Sequence, residues 1–70
     1  MQKYQTIFIN GHAFNCDIKM SLKDLLLYLN FNINNIIVEY NKKIITTDKF
    51  DHIFLSVSDN LEIITIVGGG

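Results

Sequence analysis

The chain has 70 residues, of which 49% are hydrophobic and 19% charged, and its formal net charge is -1. This length predicts one domain near the lower limit for independent stability, and this composition excludes a disordered chain. Six lysines without any arginine, at a slightly negative net charge, argue against a nucleic-acid-binding protein, because such proteins obtain much of their affinity from a basic surface.

Cellular context is indicated by what the chain lacks. We expect neither a membrane span nor a signal peptide, since no long apolar run and no basic, apolar leader are present. The single cysteine, Cys16, excludes an internal disulfide and a thiol-based metal cluster, so packing must stabilise the fold. The abundance of Ile, Asn and Lys, without Pro, Trp or Arg, is typical of an AT-rich genome such as that of a plastid or of some bacteria.

The first residues of the chain predict a β-hairpin. The run Tyr4–Ile9 is rich in β-branched and aromatic side chains and ends at Asn10-Gly11, a strong signal for a tight turn. Residues 12–18 then alternate between apolar and polar side chains, as a half-covered strand does. The covered face of this second strand is expected to carry three side chains: Phe14, Cys16 and Ile18.

One amphipathic helix is predicted over residues 22–30. Ser21 and Asp24 have a spacing that resembles a capping box at its start. Four leucines follow at helical spacing and form one apolar stripe: Leu22, Leu25, Leu26 and Leu29. The asparagine-rich segment 30–35 should end the helix, because asparagine tolerates the left-handed backbone that such an ending requires.

Two further strands and a helical turn are predicted next. Residues 36–40 form a strand with Glu39 in water, and a tight turn at residues 41–43 leads into a short strand at residues 43–45. Thr47 is expected to begin a single capped helical turn that extends to Asp51. After the turn, four apolar side chains are expected to pack under the core: Phe50, Ile53, Phe54 and Leu55.

The last strand is predicted over residues 61–67, with Leu61 and Ile63 inward and Glu62 and Ile64 outward. The order strand, strand, helix, strand, strand, strand predicts an α+β protein with a mixed sheet of four to five strands and one main helix packed across one face. With the first and last strands paired in parallel, this is the β-grasp (ubiquitin-like) arrangement. We expect one domain over residues 1–67 and a flexible glycine tail over residues 68–70.

No group of side chains has the pattern of an enzyme active site. His12, Cys16 and Asp17 include the residue types of a nucleophilic centre, but the apolar neighbours of the cysteine favour a buried, unreactive thiol. His52 beside Asp51 is interpreted as a solvated surface pair rather than a metal site. No phosphate-binding glycine loop is present. We therefore predict no catalytic residue, no bound cofactor and no metal.

The most unusual segment is the final one, because residues 68–70 hold three of the four glycines. Without a Cβ, glycine can pass through a channel too narrow for other residues and can deliver a terminal carboxylate to another protein's active site. An ordinary disordered chain end, or the remainder of an expression tag, would contain the same residues. The residues alone leave these alternatives open.

Several segments resemble the thiamine-biosynthesis sulfur carrier family (ThiS), which consists of small ubiquitin-like proteins. They include residues 36–41, 48–50 and 59–60, and above all the ending L-E-I-I-T-I-V-G-G-G. The resemblance covers essentially the whole chain, with Asn10 at the hairpin. Its most distinctive part is the final V-G-G-G, since two terminal glycines also occur in ubiquitin, in the molybdopterin synthase small subunit and in transfer-RNA thiolation carriers.

This resemblance implies a sulfur carrier, not an enzyme. The carrier glycine of the family matches Gly70, which a ThiF-like adenylyltransferase would adenylate with ATP and magnesium. Sulfur from a cysteine desulfurase would then give a thiocarboxylate, and a ThiG-like thiazole synthase would use it to form the thiazole ring of thiamine. Gly68 and Gly69 match the part of the tail that threads into the partner. The implied location is the bacterial cytoplasm or the plastid stroma.

A docking surface for these partners is predicted on the uncovered face of the sheet. Such a face is normally polar, yet it is expected to carry Phe8, Ile64 and Ile66. Two other functions remain as alternatives. One is a carrier like the molybdopterin synthase small subunit, and the other is an inert ubiquitin-like interaction module.

Overall fold

The computed structural model describes residues 3–66. In chain order its elements are β1 (Tyr4–Ile9), β2 (His12–Asp17), α1 (Leu22–Tyr28), β3 (Ile36–Tyr40), β4 (Lys43–Ile45), a 3-10 helix (Thr47–His52) and β5 (Asn60–Thr65). The strands form one sheet in the order β2-β1-β5-β3-β4. The central strand β5 is parallel to β1 and antiparallel to β3. The predicted α+β β-grasp fold is therefore confirmed, and its sheet has five strands.

The N-terminal hairpin has the predicted tight turn. Asn10 and Gly11 have φ of 51° and 82°, as a two-residue type I′ turn requires, and β1 pairs with β2 from Tyr4 to Ile9. The prediction that Ile18 lies on the covered face is wrong, because this side chain is 46% exposed. Strand β2 ends one residue earlier, where the Asp17 carboxylate accepts a hydrogen bond from the Lys19 amide at 2.7 Å and turns the chain away.

Helix α1 begins at the predicted capping box. The Asp24 amide donates to the Ser21 hydroxyl at 3.0 Å, and the Ser21 amide donates to the Asp24 carboxylate at 3.3 Å. Both interactions satisfy amide groups that the first helical turn leaves without partners. The helix therefore starts where the local sequence predicts, and its first three stripe leucines are fully buried: Leu22, Leu25 and Leu26.

The helix ends at Tyr28, two residues before the predicted limit. Asn30 has a φ of 65°, its amide donates to the carbonyl of Leu27, and the Phe31 amide donates to the carbonyl of Leu26. These two bonds form a Schellman motif with asparagine at the left-handed position. The prediction that the asparagine-rich segment ends the helix is thus confirmed, and Leu29 is the half-buried C-cap residue.

The segment after β4 differs from its prediction at two residues. The helical turn exists, but Thr46 precedes it as the cap residue and provides no side-chain capping bond, so the prediction of a capped start at Thr47 is wrong. Phe54 is 62% exposed and does not pack under the core. It pairs with Ser21 in an isolated extended bridge, and in extended backbone the side chains of Ile53 and Leu55 point to the opposite side.

The core lies between α1, the 3-10 helix and one face of the sheet. It consists of these buried residues: Ile7, Cys16, Leu22, Leu25, Leu26, Ile36, Val38, Phe50, Leu55, Leu61 and Ile63. Full burial of one such aliphatic or aromatic side chain contributes about 1.5–3 kcal/mol, so this face accounts for much of the stability. Within residues 3–66, no helix is long and apolar enough to cross a membrane.

Candidate functional site

The predicted carrier residues Gly68, Gly69 and Gly70 lie outside the described part of the chain, as does Val67 of the predicted last strand. The structure does describe the segment that leads to them. Strand β5 ends at Thr65, and the next amide, of Ile66, donates to the Asn35 carbonyl at 2.7 Å. The chain is therefore still fixed to the body of the domain at Ile66.

The loop before β3 fixes the carbonyl that holds Ile66. The Asn32 side chain accepts from the Asn34 amide at 3.1 Å, and the Asn32 carbonyl accepts from the Asn35 amide at 2.9 Å. Asparagine forms such turns readily, because its side chain can replace a backbone acceptor. The asparagine-rich segment therefore ends the helix and also supports the chain just before the tail.

Asn10 holds β5 from the other flank. Strand β1 pairs with β5 in register only at Phe8 and Ile9, after which its backbone turns into the hairpin. The Asn10 side chain continues the ladder, because its oxygen accepts from the Ile63 amide at 2.8 Å and its nitrogen donates to the Ile63 carbonyl at 3.3 Å. The side-chain amide of Asn10 thus makes the two hydrogen bonds that a backbone residue of β1 would make with Ile63, which is 53 positions away in the sequence.

Asp59 fixes the start of β5. It is 7% exposed, and its carboxylate accepts from the Tyr40 hydroxyl at 2.7 Å, the Asn41 side chain at 3.1 Å and the Ser56 amide at 2.7 Å. Burial, together with the hydrogen bond to this carboxylate, raises the pKa of Tyr40 to about 12. The start, middle and end of the central strand are therefore each held by polar contacts.

The open face of the sheet, opposite α1, carries a group of exposed isoleucines. Strand register places Ile37 directly opposite Ile64, and Ile44 directly opposite Glu39, which shares this face. We call the four exposed residues the isoleucine patch; they are Ile37, Ile44, Ile64 and Ile66, with 40%, 69%, 55% and 47% exposure. The predicted docking surface does not include Ile37 and Ile44. The alternation of side chains along β3 could have indicated that Ile37 is exposed on this face.

The third predicted docking residue, Phe8, lies apart from Ile64 and Ile66. It is half-buried and pairs with Asn60 at the start of β5. Ile64 lies four residues further along the same strand, which corresponds to about 13 Å. The structure therefore brings Ile64 and Ile66 next to Ile37 rather than next to Phe8. The docking role of all three residues stays a prediction.

Two carboxylates lie beside the isoleucine patch. Glu39 on β3 and Glu62 on β5 are directly opposite each other, so Glu39 lies on the uncovered face as predicted, although its side chain is half-buried. They line an open depression of about 470 Å³ together with Asn41, Lys42 and Asn60. Within residues 3–66, neither carboxylate forms an ion pair or a side-chain hydrogen bond.

The remaining sequence candidates do not form a reactive centre. Cys16 is buried, and this burial raises the pKa of its thiol and disfavours the nucleophilic thiolate. His12 is exposed, and His52 pairs with Asp51 at 3.5 Å with both side chains in water. Among the residues described, no group of three or more His, Cys, Asp or Glu side chains could hold a metal ion.

Comparison with known proteins identifies relatives over nearly the whole chain. The ThiS family model matches residues 7–70. The "Uncharacterized protein ycf40" of Porphyra purpurea is 43% identical over 70 residues, which cover 100% of this chain and 99% of that protein. The "Thiazole synthase" of Magnetococcus marinus is 30% identical over 64 residues, which cover 91% of this chain but 20% of that protein.

A solved structure confirms the arrangement of the elements. The crystal structure of the thiamine biosynthesis protein (ThiS) from Geobacter metallireducens superposes with a TM-score of 0.80. The match covers 94% of this chain and 100% of the other, at 23% sequence identity. At this identity the likeness establishes the shared fold.

Proposed function

Because this chain belongs to the ThiS family, we propose that it is a sulfur carrier on which partner enzymes act. The predicted family resemblance is confirmed, and membership of this family supports a sulfur-carrier-like role rather than an enzymatic one. The observation that carries the proposal is the extent of the family match, which runs from β1 through the glycine tail. The tail directly follows the central strand of the sheet.

The proposed chemistry takes place at the carboxylate of Gly70. A carboxylate is a poor acyl donor, so one of its oxygens first attacks the α-phosphorus of ATP, pyrophosphate leaves, and an acyl adenylate forms. The terminal sulfur of a persulfide then displaces AMP and gives an acyl disulfide, and a thiol reductant cleaves its S–S bond to release the thiocarboxylate. We propose that a ThiF-like adenylyltransferase supplies the site, ATP and magnesium for the first step. A cysteine desulfurase supplies the sulfur for the second step.

The described part of the chain would contribute presentation and recognition. Contacts of Asn10 and Asn35 hold the chain in place up to Ile66, so the residue at the base of the tail has a fixed position on the domain. Gly68 and Gly69 lack side chains and would pass a channel that excludes larger residues. The open face, with Phe8, Ile64 and Ile66, would dock the partner while the tail enters its active site.

A ThiG-like thiazole synthase is the acceptor that we propose for the sulfur. This is supported by the thiazole synthase of M. marinus, because one part of that protein is similar to 91% of this chain. A carrier segment and a thiazole synthase in one polypeptide act at high effective concentration, which suits a donor and its acceptor. The plastid origin of the ycf40 relative supports the plastid stroma as the place of this reaction.

The test is the intact mass of the protein after incubation with ATP, magnesium, a ThiF-like adenylyltransferase, a cysteine desulfurase, cysteine and a thiol reductant. We expect the mass to rise by the difference between sulfur and oxygen. The same reaction without ATP, and a variant that lacks Gly70 but keeps the fold, should show no change. No mass change in the parent protein, under conditions that convert a known sulfur carrier, would contradict the proposal and favour an inert interaction module.

A second measurement identifies the acceptor. The thiocarboxylated protein is mixed with a ThiG-like thiazole synthase and its other substrates, and return to the original mass is followed together with thiazole formation. Turnover supports the thiamine pathway. Transfer to a molybdopterin synthase large subunit, without transfer to thiazole synthase, would instead support the alternative carrier function.

A further inference from the structure

The open face of the sheet contains a charge arrangement that does not help the domain to fold. Glu39 and Glu62 occupy directly opposite positions on β3 and β5. Directly opposite residues have Cβ atoms about 4.5–5.5 Å apart, and like charges at such positions destabilise a sheet. Neither carboxylate has an ion-pair or side-chain hydrogen-bond partner within residues 3–66, so no direct contact in this part of the chain offsets their repulsion.

Apolar side chains adjoin this acidic pair on two sides. Two residue pairs further along the same two strands, on the same face, Ile37 lies opposite Ile64, and on the neighbouring strand Ile44 lies opposite Glu39. The depression between the carboxylates and the β3-β4 turn also borders Lys42, which forms no ion pair with either of them. The face therefore presents an apolar surface with an uncompensated negative site at its edge.

The chemistry of this face restricts what can cover it. A purely apolar partner surface would remove two carboxylates from water without compensation, which is unfavourable. A second copy of the same face would bring carboxylates near carboxylates. A basic side chain that extends from an apolar surface satisfies both parts of the face at once, because it pairs with the acids while its surroundings cover the isoleucine patch.

We propose that the open face recognises a partner surface on which an arginine or lysine is surrounded by apolar residues, and that this basic side chain pairs with Glu39 and Glu62. The inference rests on the proposed function, since the partner meant is the adenylyltransferase that receives the tail. Charge complementarity determines the partner's orientation and speeds association, and the isoleucine patch adds buried apolar area. The acidic pair thus serves binding at some cost to the fold.

The experiment compares variants that lose the negative charge of Glu39 and Glu62 with controls that lose the same amount of negative charge away from the open face. Glu39→Gln and Glu62→Gln are made singly and together, and the controls are Asp51→Asn and the double change Asp48→Asn with Asp51→Asn, both in the exposed 3-10 helix. Binding of each full-length chain to a ThiF-like adenylyltransferase is measured at low and at high salt. Thermal unfolding of every variant is measured in parallel.

We expect the affinity of the double glutamine variant for the adenylyltransferase to fall by about tenfold or more, because the variant loses a desolvated ion pair. Its binding should also depend less on salt than that of the parent chain, while its unfolding temperature stays equal or rises. The asparagine controls should keep the parental affinity. A double glutamine variant with unchanged affinity, or an equal loss in the double asparagine control, would overturn the inference.

The outcome separates this inference from the proposed function. Conversion of the parent chain to a thiocarboxylate, combined with normal binding of the double glutamine variant, would overturn only the role of the acidic pair. A parent chain that binds the adenylyltransferase through Glu39 and Glu62 but gains no sulfur would overturn only the carrier function. Loss of binding together with a lower unfolding temperature would also count against the inference, since it indicates a structural role for the two carboxylates.

Discussion

The two faces of the sheet differ in what covers them. On the covered face, α1 and the 3-10 helix bury the side chains and leave members such as Ile7 and Val38 with no exposed surface. The open face carries four exposed isoleucines beside two carboxylates that lack partners in the described chain. The first pattern is what folding selects. The second is the pattern that we propose a partner protein covers.

This difference divides the residues of the central strand into two groups. Leu61 and Ile63 face the core and are buried, whereas Glu62 and Ile64, which alternate with them, are exposed. A single strand therefore carries stability on one side and, in the proposed function, recognition on the other. The predictions below test that division, from the largest expected effect to the smallest.

The largest effect is expected on the covered face. Leu26→Ala removes a fully buried side chain from the centre of α1 and should lower the free energy of unfolding by about 2–5 kcal/mol. For a domain of this size that is a large part of the total stability. Urea unfolding followed by circular dichroism measures the change. An effect below about 1 kcal/mol would show that the covered face is less tightly packed than described.

Asn10→Ala tests whether a side chain holds the central strand. The change leaves the Ile63 amide and carbonyl without partners, and it places alanine at a φ of 51°. The expected loss of stability is about 1–3 kcal/mol. Asn10→Gly keeps the turn conformation and removes only the ladder bonds. A glycine variant as stable as the parent would show that these bonds contribute nothing.

Tyr40→Phe tests the anchor at the start of β5 through its pH dependence. Because the pKa of Tyr40 in the folded protein is raised to about 12 from 10, this hydroxyl contributes stability that is complete below pH 10 and is lost as the pH rises through 12. The parent chain should therefore lose more stability than the variant between pH 10 and 12. Below pH 10 the variant should be less stable by about 0.5–1.5 kcal/mol. Parallel alkaline unfolding curves would contradict the role of this bond.

The smallest effect on stability is expected on the open face. Ile64→Asp replaces a side chain that is 55% exposed, so the free energy of unfolding should fall by no more than about 1 kcal/mol, the range of strand propensities. Adenylation by the partner enzyme should nevertheless weaken, because the variant places a charge within the isoleucine patch. Ile18→Asp, at an exposed residue after β2, is the matched control. Unchanged adenylation of the Ile64 variant would remove this residue from the docking surface.

Local features of the fold could be predicted from the sequence because neighbouring residues determine them. The hairpin turn at Asn10-Gly11 and the capping box of Ser21 and Asp24 each depend on residues at most three positions apart. The errors have local causes as well. Ile18 follows a strand that ends one residue early, and Phe54 lies in an extended segment that turns every second side chain outward.

The candidate site was less predictable because it depends on strand register. Alternation in the sequence identified Ile64 as exposed, but only the pairing of β3 with β5 shows that Ile37 lies beside it and that Glu39 faces Glu62. The same limit applies to the Asn10 side chain, whose partner is 53 positions away. Contacts of this kind leave no periodic signal in either segment.

The position of β5 between two strands also determines how the domain responds to force. In the proposed function, a partner that draws the tail into its active site would pull on β5 along its own axis, and the hydrogen bonds to β1, β3 and the Asn10 side chain cross that axis. A pull in this direction loads the hydrogen bonds simultaneously in shear, so they do not break one after another. We therefore expect the folded domain to withstand repeated binding and release of its tail.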